Sequence, residues 1–196
     1  MIKLEGIEAE LRSIGAEYSG RLTYCLTDLG SGARIDHDAD EVMPTASLIK
    51  VPVLVALYRA AHEGLIDLYT RIQYTEAHRC LGSGVLSRMT PGVEMLVRDA
   101  AVLMIIISDN SATNMCVDLV GLDYVNTTMR GLGLERTTIF QRLGDSKAGL
   151  DARKMSVSTA GEMTRLLETM ARHEAVSAEA SADMLRIMRR QDYRHE

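Results

Sequence analysis

The sequence predicts an α+β fold in which helices dominate and the strands form only part of an antiparallel sheet. Seven segments show helical periodicity or good helix formers, and one N-terminal segment alternates in polarity before a glycine-rich turn. The rest of the chain offers far too little strand to complete a sheet. The length suits one domain with a substantial core, and 46% hydrophobic and 25% charged residues are typical of a soluble globular protein.

The N-terminal elements are predicted to be a helix and a β-hairpin. Apolar residues three or four apart favour an amphipathic helix over residues 3–16. Residues 21–29 alternate and are rich in strand formers, the Gly-Ser-Gly at 30–32 supplies a turn, and residues 33–36 form a short returning strand. Because a two-stranded hairpin is marginal alone, we expect further strands, a helix on its face, or a complementing chain or oligomer at its open edge.

The remainder of the chain is predicted to be helical, which divides it into residues 1–37, part of an α/β subdomain, and residues 38–196, a helical subdomain. The predicted helical segments are 47–62, 95–107, 111–121, 123–131, 159–172 and 177–191. The predicted N-caps are Thr159 (in a capping box with Glu162), Asp123 and Ser177, and the helix-ending glycines are Gly64, Gly121 and Gly131. The methionines expected to fill the core are Met104, Met115, Met163, Met184 and Met188.

Charge and hydropathy exclude several classes of function. The formal charge of −5 argues against nucleic acid or an anionic membrane as a partner. The longest apolar run, residues 100–107, is far too short to span a bilayer. The first residues mix acidic and apolar side chains, unlike a secretory signal. The sequence as it stands therefore predicts a cytoplasmic protein, or a periplasmic or secreted one if a leader has been removed.

Cysteine and histidine usage predicts neither a disulfide framework nor a metal site. Cys25, Cys80 and Cys116 form no metal-spaced pair, and their odd number argues against full pairing, so all three are expected to be thiols. The five histidines are scattered along the chain. We therefore predict no bound metal and no cofactor.

Ser47 and Lys50 form a Ser-x-x-Lys motif, the first candidate for chemistry. A serine hydroxyl is a weak nucleophile and needs a neighbouring base. Positions i and i+3 of a helix share a face, so Lys50 can reach the Ser47 oxygen, and the apolar residues around Lys50 would lower its pKa. Taken alone, the motif also fits a capped surface helix.

Ser108-Asp109-Asn110, directly after an apolar helix, is the second candidate. Polar residues at the end of a buried segment are positioned by the core. The alternative is an ordinary turn between two helices, because Ser, Asp and Asn all favour caps and turns.

Together the two motifs resemble those of the class A β-lactamases and penicillin-binding proteins, serine hydrolases that also carry a Lys-Thr/Ser-Gly motif. The resemblance runs from the N-terminal helix to the last residue. It includes PTASLIKVPVLVALY at 44–58, GSGVL at 82–86 and RDAAVLMIIISDNSATN at 98–114. It implies the β-lactamase/transpeptidase-like fold and a small-molecule substrate, a β-lactam or a D-Ala-type amide or ester.

The resemblance also implies a role for each matching residue. Ser47 is acylated, Lys50 is its general base or part of the proton path, and Ser108 passes a proton toward the leaving nitrogen. The Ser47 N–H supplies half of the oxyanion hole. The implied supporting positions are Asn110 for the substrate amide, Ser83 and Gly84 for the rim of the cleft, and Asp109 for the structure of the loop.

Two features of the family are missing. The nearest sequence to Lys-Thr/Ser-Gly is Lys147-Ala148-Gly149, which precedes two helices instead of following them and fits a loop. We therefore expect either a truncated or cleaved chain or a strand supplied by another chain. Residues 137–155 match the loop that carries the family's deacylating glutamate but contain no Glu. Their only carboxylates are Asp145 and Asp151, of which Asp145 could substitute, although its side chain is shorter and a surface loop residue is the alternative. The missing glutamate argues against efficient β-lactam turnover.

Three functions remain. The first is a serine hydrolase of the class A β-lactamase family, acylated at Ser47. The second is a D-alanyl peptidase or esterase of the same fold, and the third is an inactive fragment or binding protein that lacks the Lys-Thr/Ser-Gly strand.

Overall fold

The computed structural model describes residues 4–144 and 152–192 and confirms the mixed α+β fold. Helices provide most of the regular structure in these two segments. They are α1 (Leu4–Glu17), α2 (Lys50–His62), α3 (Val97–Ile106), α4 (Asn110–Val120), α5 (Leu122–Gly131), α6 (Ala160–Ala171) and α7 (Ala178–Met188).

The strands are short and form three small antiparallel sheets in the described part of the chain. They are β1 (Tyr24–Thr27), β2 (Arg34–His37), β3 (Met43–Pro44), β4 (Arg71–Gln73), β5 (Glu94–Leu96), β6 (Thr138–Ile139) and β7 (Ser156–Ser158). The hairpin β1–β2 places Leu26 opposite Ile35. The second sheet has the order β3–β7–β6, and the third pairs β4 with β5.

Helix α2 is the centre of the hydrophobic core. It is apolar around its whole circumference, as expected of a helix enclosed on all sides, and Val53, Leu54, Val55 and Leu57 are fully buried. Helices α3, α4, α5 and α7 pack around it. The predicted core methionines Met104, Met115, Met163 and Met184 are buried. Met188 is only half-buried and lies at the edge of a cleft described below.

The N-terminal hairpin is covered by helices, which agrees with the predicted alternative of a helix on its face. Helix α6 packs against β1, where Thr164 Oγ1 donates to the carbonyl oxygen of Cys25 at 2.9 Å. Helix α1 lies against β2. In the described residues β1 has β2 as its only strand partner, so a complementing chain at its other edge stays a prediction.

Two predicted helix starts are wrong. Segment 47–62 begins as a 3-10 turn, Ala46–Ile49, before α2, and residues 95 and 96 belong to β5 because they pair with β4. Asp123 is not an N-cap: Gly121, with φ +81°, makes the turn between α4 and α5, so α5 already starts at Leu122.

The other predicted caps lie at helix ends. Thr159 and Ser177 accept hydrogen bonds from the N–H groups of Glu162 and Ala180. The reciprocal half of the capping box is absent among the described contacts, because the Glu162 carboxylate accepts from Arg136 N and Thr137 Oγ1 instead. The three glycines are Gly64 after α2, Gly121 after α4 and Gly131 as the last residue of α5.

The three cysteines form no disulfide, as predicted, and Cys80 and Cys116 are buried. Within the two described segments, no helix combines the length and apolar character needed to cross a bilayer.

Candidate active site

Ser47 lies in the 3-10 turn that leads into α2. In this geometry residues i and i+3 are eclipsed, which places the Lys50 side chain directly behind Ser47. The serine is exposed, whereas Lys50 is 2% exposed. Ala46, immediately before the serine, has φ +45°, a left-handed conformation that is costly for a residue with a side chain. The packing of the turn against the core therefore fixes how Ser47 is presented.

The Ser-Asp-Asn motif forms the turn between α3 and α4, so the turn predicted as an alternative is present. Ser108 has φ +54°, again left-handed, and Asp109 is the N-cap of α4. This turn faces Ser47 and is therefore also part of the candidate site. Strained non-glycine residues on both sides of a cleft are typical of functional sites.

Three side-chain atoms form the centre of the site: Ser47 Oγ, Lys50 Nζ and Ser108 Oγ. Ser108 Oγ donates to Ser47 Oγ at 3.0 Å, and Lys50 Nζ lies 3.3 Å from Ser47 Oγ and 2.7 Å from Ser108 Oγ. Lys50 Nζ also donates to the Ser108 carbonyl oxygen at 2.6 Å and to Asn110 Oδ1 at 2.9 Å. The two motifs, far apart in sequence, are in direct contact.

Burial lowers the pKa of Lys50 to about 8, because a desolvated ammonium is less stable than one in water. Asp109 and Cys80 oppose this effect, since negative charge nearby favours the protonated form. The result is an amine that exchanges its proton near neutral pH beside two serine hydroxyls.

Asp109 fastens the segment 82–86 to the start of α4. Its Oδ2 accepts from the N–H groups of Val85 (2.6 Å) and Leu86 (2.9 Å), while Oδ1 caps α4 at Ala112 N. Gly84 lies against this carboxylate so closely that a Cβ there would fall 2.3 Å from Asp109 Cγ.

Asn110 connects the lysine to the rim of the cleft. Its Nδ2 donates to the Leu81 carbonyl oxygen at 3.0 Å, and its N–H donates to the carbonyl oxygen of Ser83 at 3.1 Å. The Ser83 side chain is exposed. Ser83 and Gly84 thus lie beside the S-D-N turn, and their role at the rim of the cleft stays a prediction.

Residues 6–196 match the profile of a protein family described as the beta-lactamase enzyme family. The chain belongs to this family. Beta-lactamase L2 of Stenotrophomonas maltophilia is 34% identical over 102 residues, covering 52% of this chain and 33% of that protein. The chain spans 33–57% of the length of the curated relatives it matches.

Solved structures support the same assignment. The β-lactamase of Sphaerobacter thermophilus superposes with a TM-score of 0.88 at 30% identity, covering 97% of this chain and 71% of that one. PBP-A superposes with a TM-score of 0.83 at 29% identity, covering 95% and 69% of the two chains. The β-lactamase/transpeptidase-like fold predicted from the sequence is confirmed.

In this β-lactamase-family chain, Ser47 opens into a cleft of about 390 Å³. Apolar side chains of α3 and α7 line it: Met104, Ile105 and Met188. Met104 and Met188 were predicted from the sequence to be core residues, and none of the three was predicted to lie beside Ser47. Gln191 closes one end, held by a hydrogen bond from Nε2 to the Ile105 carbonyl oxygen. Two clefts of about 410 Å³ elsewhere do not include Ser47, so cavity size alone would not have located the site.

Asn114, on α4, is hydrogen-bonded to the backbone of the stretch 137–155. Its side-chain amide accepts from Leu143 N at 3.0 Å and donates to the Leu143 carbonyl oxygen at 2.9 Å. The acidic residues considered for deacylation, Asp145 and Asp151, and the sequence Lys147-Ala148-Gly149 lie outside the described residues.

Proposed function

We propose that this chain is a serine hydrolase acylated at Ser47, acting on a β-lactam or a related amide or ester. One observation carries the proposal: Ser47 Oγ, Lys50 Nζ and Ser108 Oγ lie within mutual hydrogen-bonding distance. A nucleophile in contact with a base that is itself held in place is the arrangement that covalent catalysis needs. Membership of the β-lactamase family supports the choice of substrate class.

The contacts of Lys50 fit a neutral amine. The Ser108 carbonyl oxygen and Asn110 Oδ1 can only accept, and a neutral amine has two N–H groups to donate to them. The amine lone pair can then accept from the Ser47 hydroxyl, because the Ser108 hydroxyl already donates to Ser47 Oγ. With a pKa of about 8, about a tenth of the molecules hold this form at pH 7.

Acylation then proceeds in one proton cycle. Ser47 Oγ forms a bond to the carbonyl carbon of the substrate while Lys50 Nζ accepts the hydroxyl proton. The carbon–nitrogen bond breaks, and Ser108 Oγ donates its proton to the leaving nitrogen and is reprotonated from Lys50. In a β-lactam the leaving nitrogen stays attached, so the adduct retains the whole mass of the substrate.

The surrounding residues take supporting roles in this proposal. The Ser47 N–H donates to the developing oxyanion. Asn110 hydrogen-bonds the substrate amide, while Ser83 and Gly84 form the rim that Asp109 holds in place.

Deacylation is expected to be slow. The stretch 137–155 contains no glutamate to activate a hydrolytic water. Without such a base, the acyl-enzyme accumulates, and the chain labels itself with a β-lactam faster than it turns the compound over.

The test uses a fluorescent penicillin and a chromogenic cephalosporin, with intact mass recorded alongside turnover. We expect an adduct of the full β-lactam mass on the unmodified chain and on S13A, whose serine is exposed on α1, and no adduct on S47A. Labelling that survives in S47A would refute Ser47 as the nucleophile. If no acyl donor labels the unmodified chain, the inactive or binding-protein alternative replaces the hydrolase.

A D-alanyl peptidase or esterase is the second candidate, favoured by the superposition on PBP-A. It uses the same serine, so the substrate profile separates the two. Faster turnover of a D-Ala-type thioester or amide than of any β-lactam would identify it.

A further inference from the structure

A second polar cavity lies between α3 and α7, at the end of α7 and outside the group of residues that lines the Ser47 cleft. Its volume is about 330 Å³. Three arginines and three aliphatic side chains form its wall: Arg98, Arg186, Arg190, Val102, Ile106 and Ile187. Nothing in the acylation chemistry uses these residues.

The arginines are only partly neutralised. Arg98 donates to both oxygens of Asp183, through Nε at 2.8 Å and Nη2 at 2.7 Å, and Arg186 donates to Oδ1 at 2.9 Å. Tyr58 OH adds a fourth hydrogen bond to this one carboxylate. Among the described contacts, the Arg190 side chain has neither a hydrogen bond nor an ion pair. Among the described residues, three guanidinium groups therefore share a single carboxylate, an excess of two positive charges.

Helix geometry explains only part of this cluster. The C-terminal end of a helix favours cations, which suits Arg186 on the last turn of α7 and Arg190 just after the helix ends. It does not account for Arg98, which comes from the first turn of α3 and lines the same cavity.

Other acidic groups do not supply that charge in the described part of the chain. Asp99 and Glu179 line the neighbouring cleft beside Tyr58, and no ion pair joins either of them to the three arginines. Asp192 is exposed. The rest of the cavity wall, Val102, Ile106 and Ile187, is aliphatic and carries no charge.

We propose that this cavity binds a small oxyanion, a phosphoryl or carboxylate group with at least two negative charges, between Arg98, Arg186 and Arg190. The planar guanidinium group can donate two parallel hydrogen bonds to the oxygens of either a phosphoryl or a carboxylate group. Arg190 supplies contacts that Asp183 does not already use, while Arg98 and Arg186 are held in position by Asp183. The cavity volume of about 330 Å³ limits the ligand to a compact anion.

Calorimetric titration with pyrophosphate and with citrate tests the proposal, with sodium chloride at matched ionic strength as the reference. We expect saturable binding of at least one of the two anions, and the tighter one identifies the phosphoryl or carboxylate class. R190Q should weaken it about tenfold, the loss expected for one charge-assisted contact. R189Q removes the same charge from the neighbouring exposed residue, which is not in the cavity wall, and should bind as the unmodified chain does.

Three results would overturn the proposal. The first is the absence of saturable binding for both anions. The second is a sodium chloride titration that gives the same heat as the anion titrations. The third is an equal loss of anion affinity in R189Q and R190Q. Circular dichroism of each variant shows that a lost affinity does not reflect unfolding, and penicillin labelling at Ser47 reports separately on the proposed hydrolase.

Discussion

At the scale of single residues, Lys50 is the residue on which the proposed chemistry depends. It is surrounded by the core on one side and by four oxygen atoms on the other. Burial lowers its pKa to about 8. The fraction of Lys50 in the neutral form, which accepts the Ser47 proton, therefore increases as the pH rises through this value.

We expect the rate of penicillin acylation to rise with pH, with a midpoint near 8, and to level off above it. Stopped-flow labelling between pH 6 and 10 measures this profile. K50R keeps a positive charge that is not lost in this range, and we expect it to acylate at least about 100-fold more slowly. The matched change K154R, at an exposed lysine, should leave the profile unchanged. A rate independent of pH would exclude Lys50 as the base.

The sequence predicted the contact between Ser47 and Lys50 because it depends only on helical spacing. The contact between Ser47 and Ser108 joins residues 61 positions apart, and only the resemblance to a family suggested it. The left-handed backbone at Ala46 and Ser108 was not predictable from composition, since alanine and serine rarely adopt it. Tertiary packing imposes both conformations.

At the scale of elements, the long helices were predicted and the short strands were not. Strands β3 to β7 have only two or three residues each, too few for an alternating pattern to be recognised. Pairing with a distant partner defines them, as β5 shows: residues 95 and 96 continue a helical pattern but pair with β4. The predictions of helix caps were more successful, because a cap such as Thr159 bonds to a residue only three positions away.

Segment 82–86 packs closely against the start of α4, and substitution of Gly84 tests how much this packing contributes to stability. Gly84 has φ +99° and Gly92 has φ +110°, but only Gly84 has an atom of another residue in the way of a Cβ. G92A should therefore cost about 1–2 kcal/mol of backbone strain. G84A should cost roughly 2 kcal/mol more, because Asp109 must move to admit the methyl group.

Urea unfolding of the two variants gives both free energies, and penicillin labelling gives the effect on the site. We expect G84A, but not G92A, to slow labelling, since a displaced Asp109 moves the S-D-N turn away from Ser47. Equal free energies of unfolding for the two variants would mean that Asp109 yields without cost and does not fix the rim.

At the scale of the whole molecule, burial is distributed unevenly. The hydrophobic core runs from Ile49 to Ile187, and no residue of the segment 6–38 is fully buried. Helix α1 and the hairpin lie on the outside, with α6 as the main element beneath β1. The division into two subdomains at residue 37 stays a prediction.

Amide hydrogen exchange should reveal two levels of protection. Exchange through local opening is governed by how much buried surface must be exposed, so the amides of β1 and β2 should exchange well before those of α2. The comparison is made between the amides that donate across the β1–β2 ladder and the amides within α2, because the outward-facing N–H groups of a two-stranded ladder have no strand partner. Mass spectrometry of peptides covering residues 24–37 and 50–62 measures it at one pH and temperature. Equal protection would mean that the hairpin unfolds only with the core. In that case α6 would join the two parts into a single cooperative unit, despite the exposure of the hairpin.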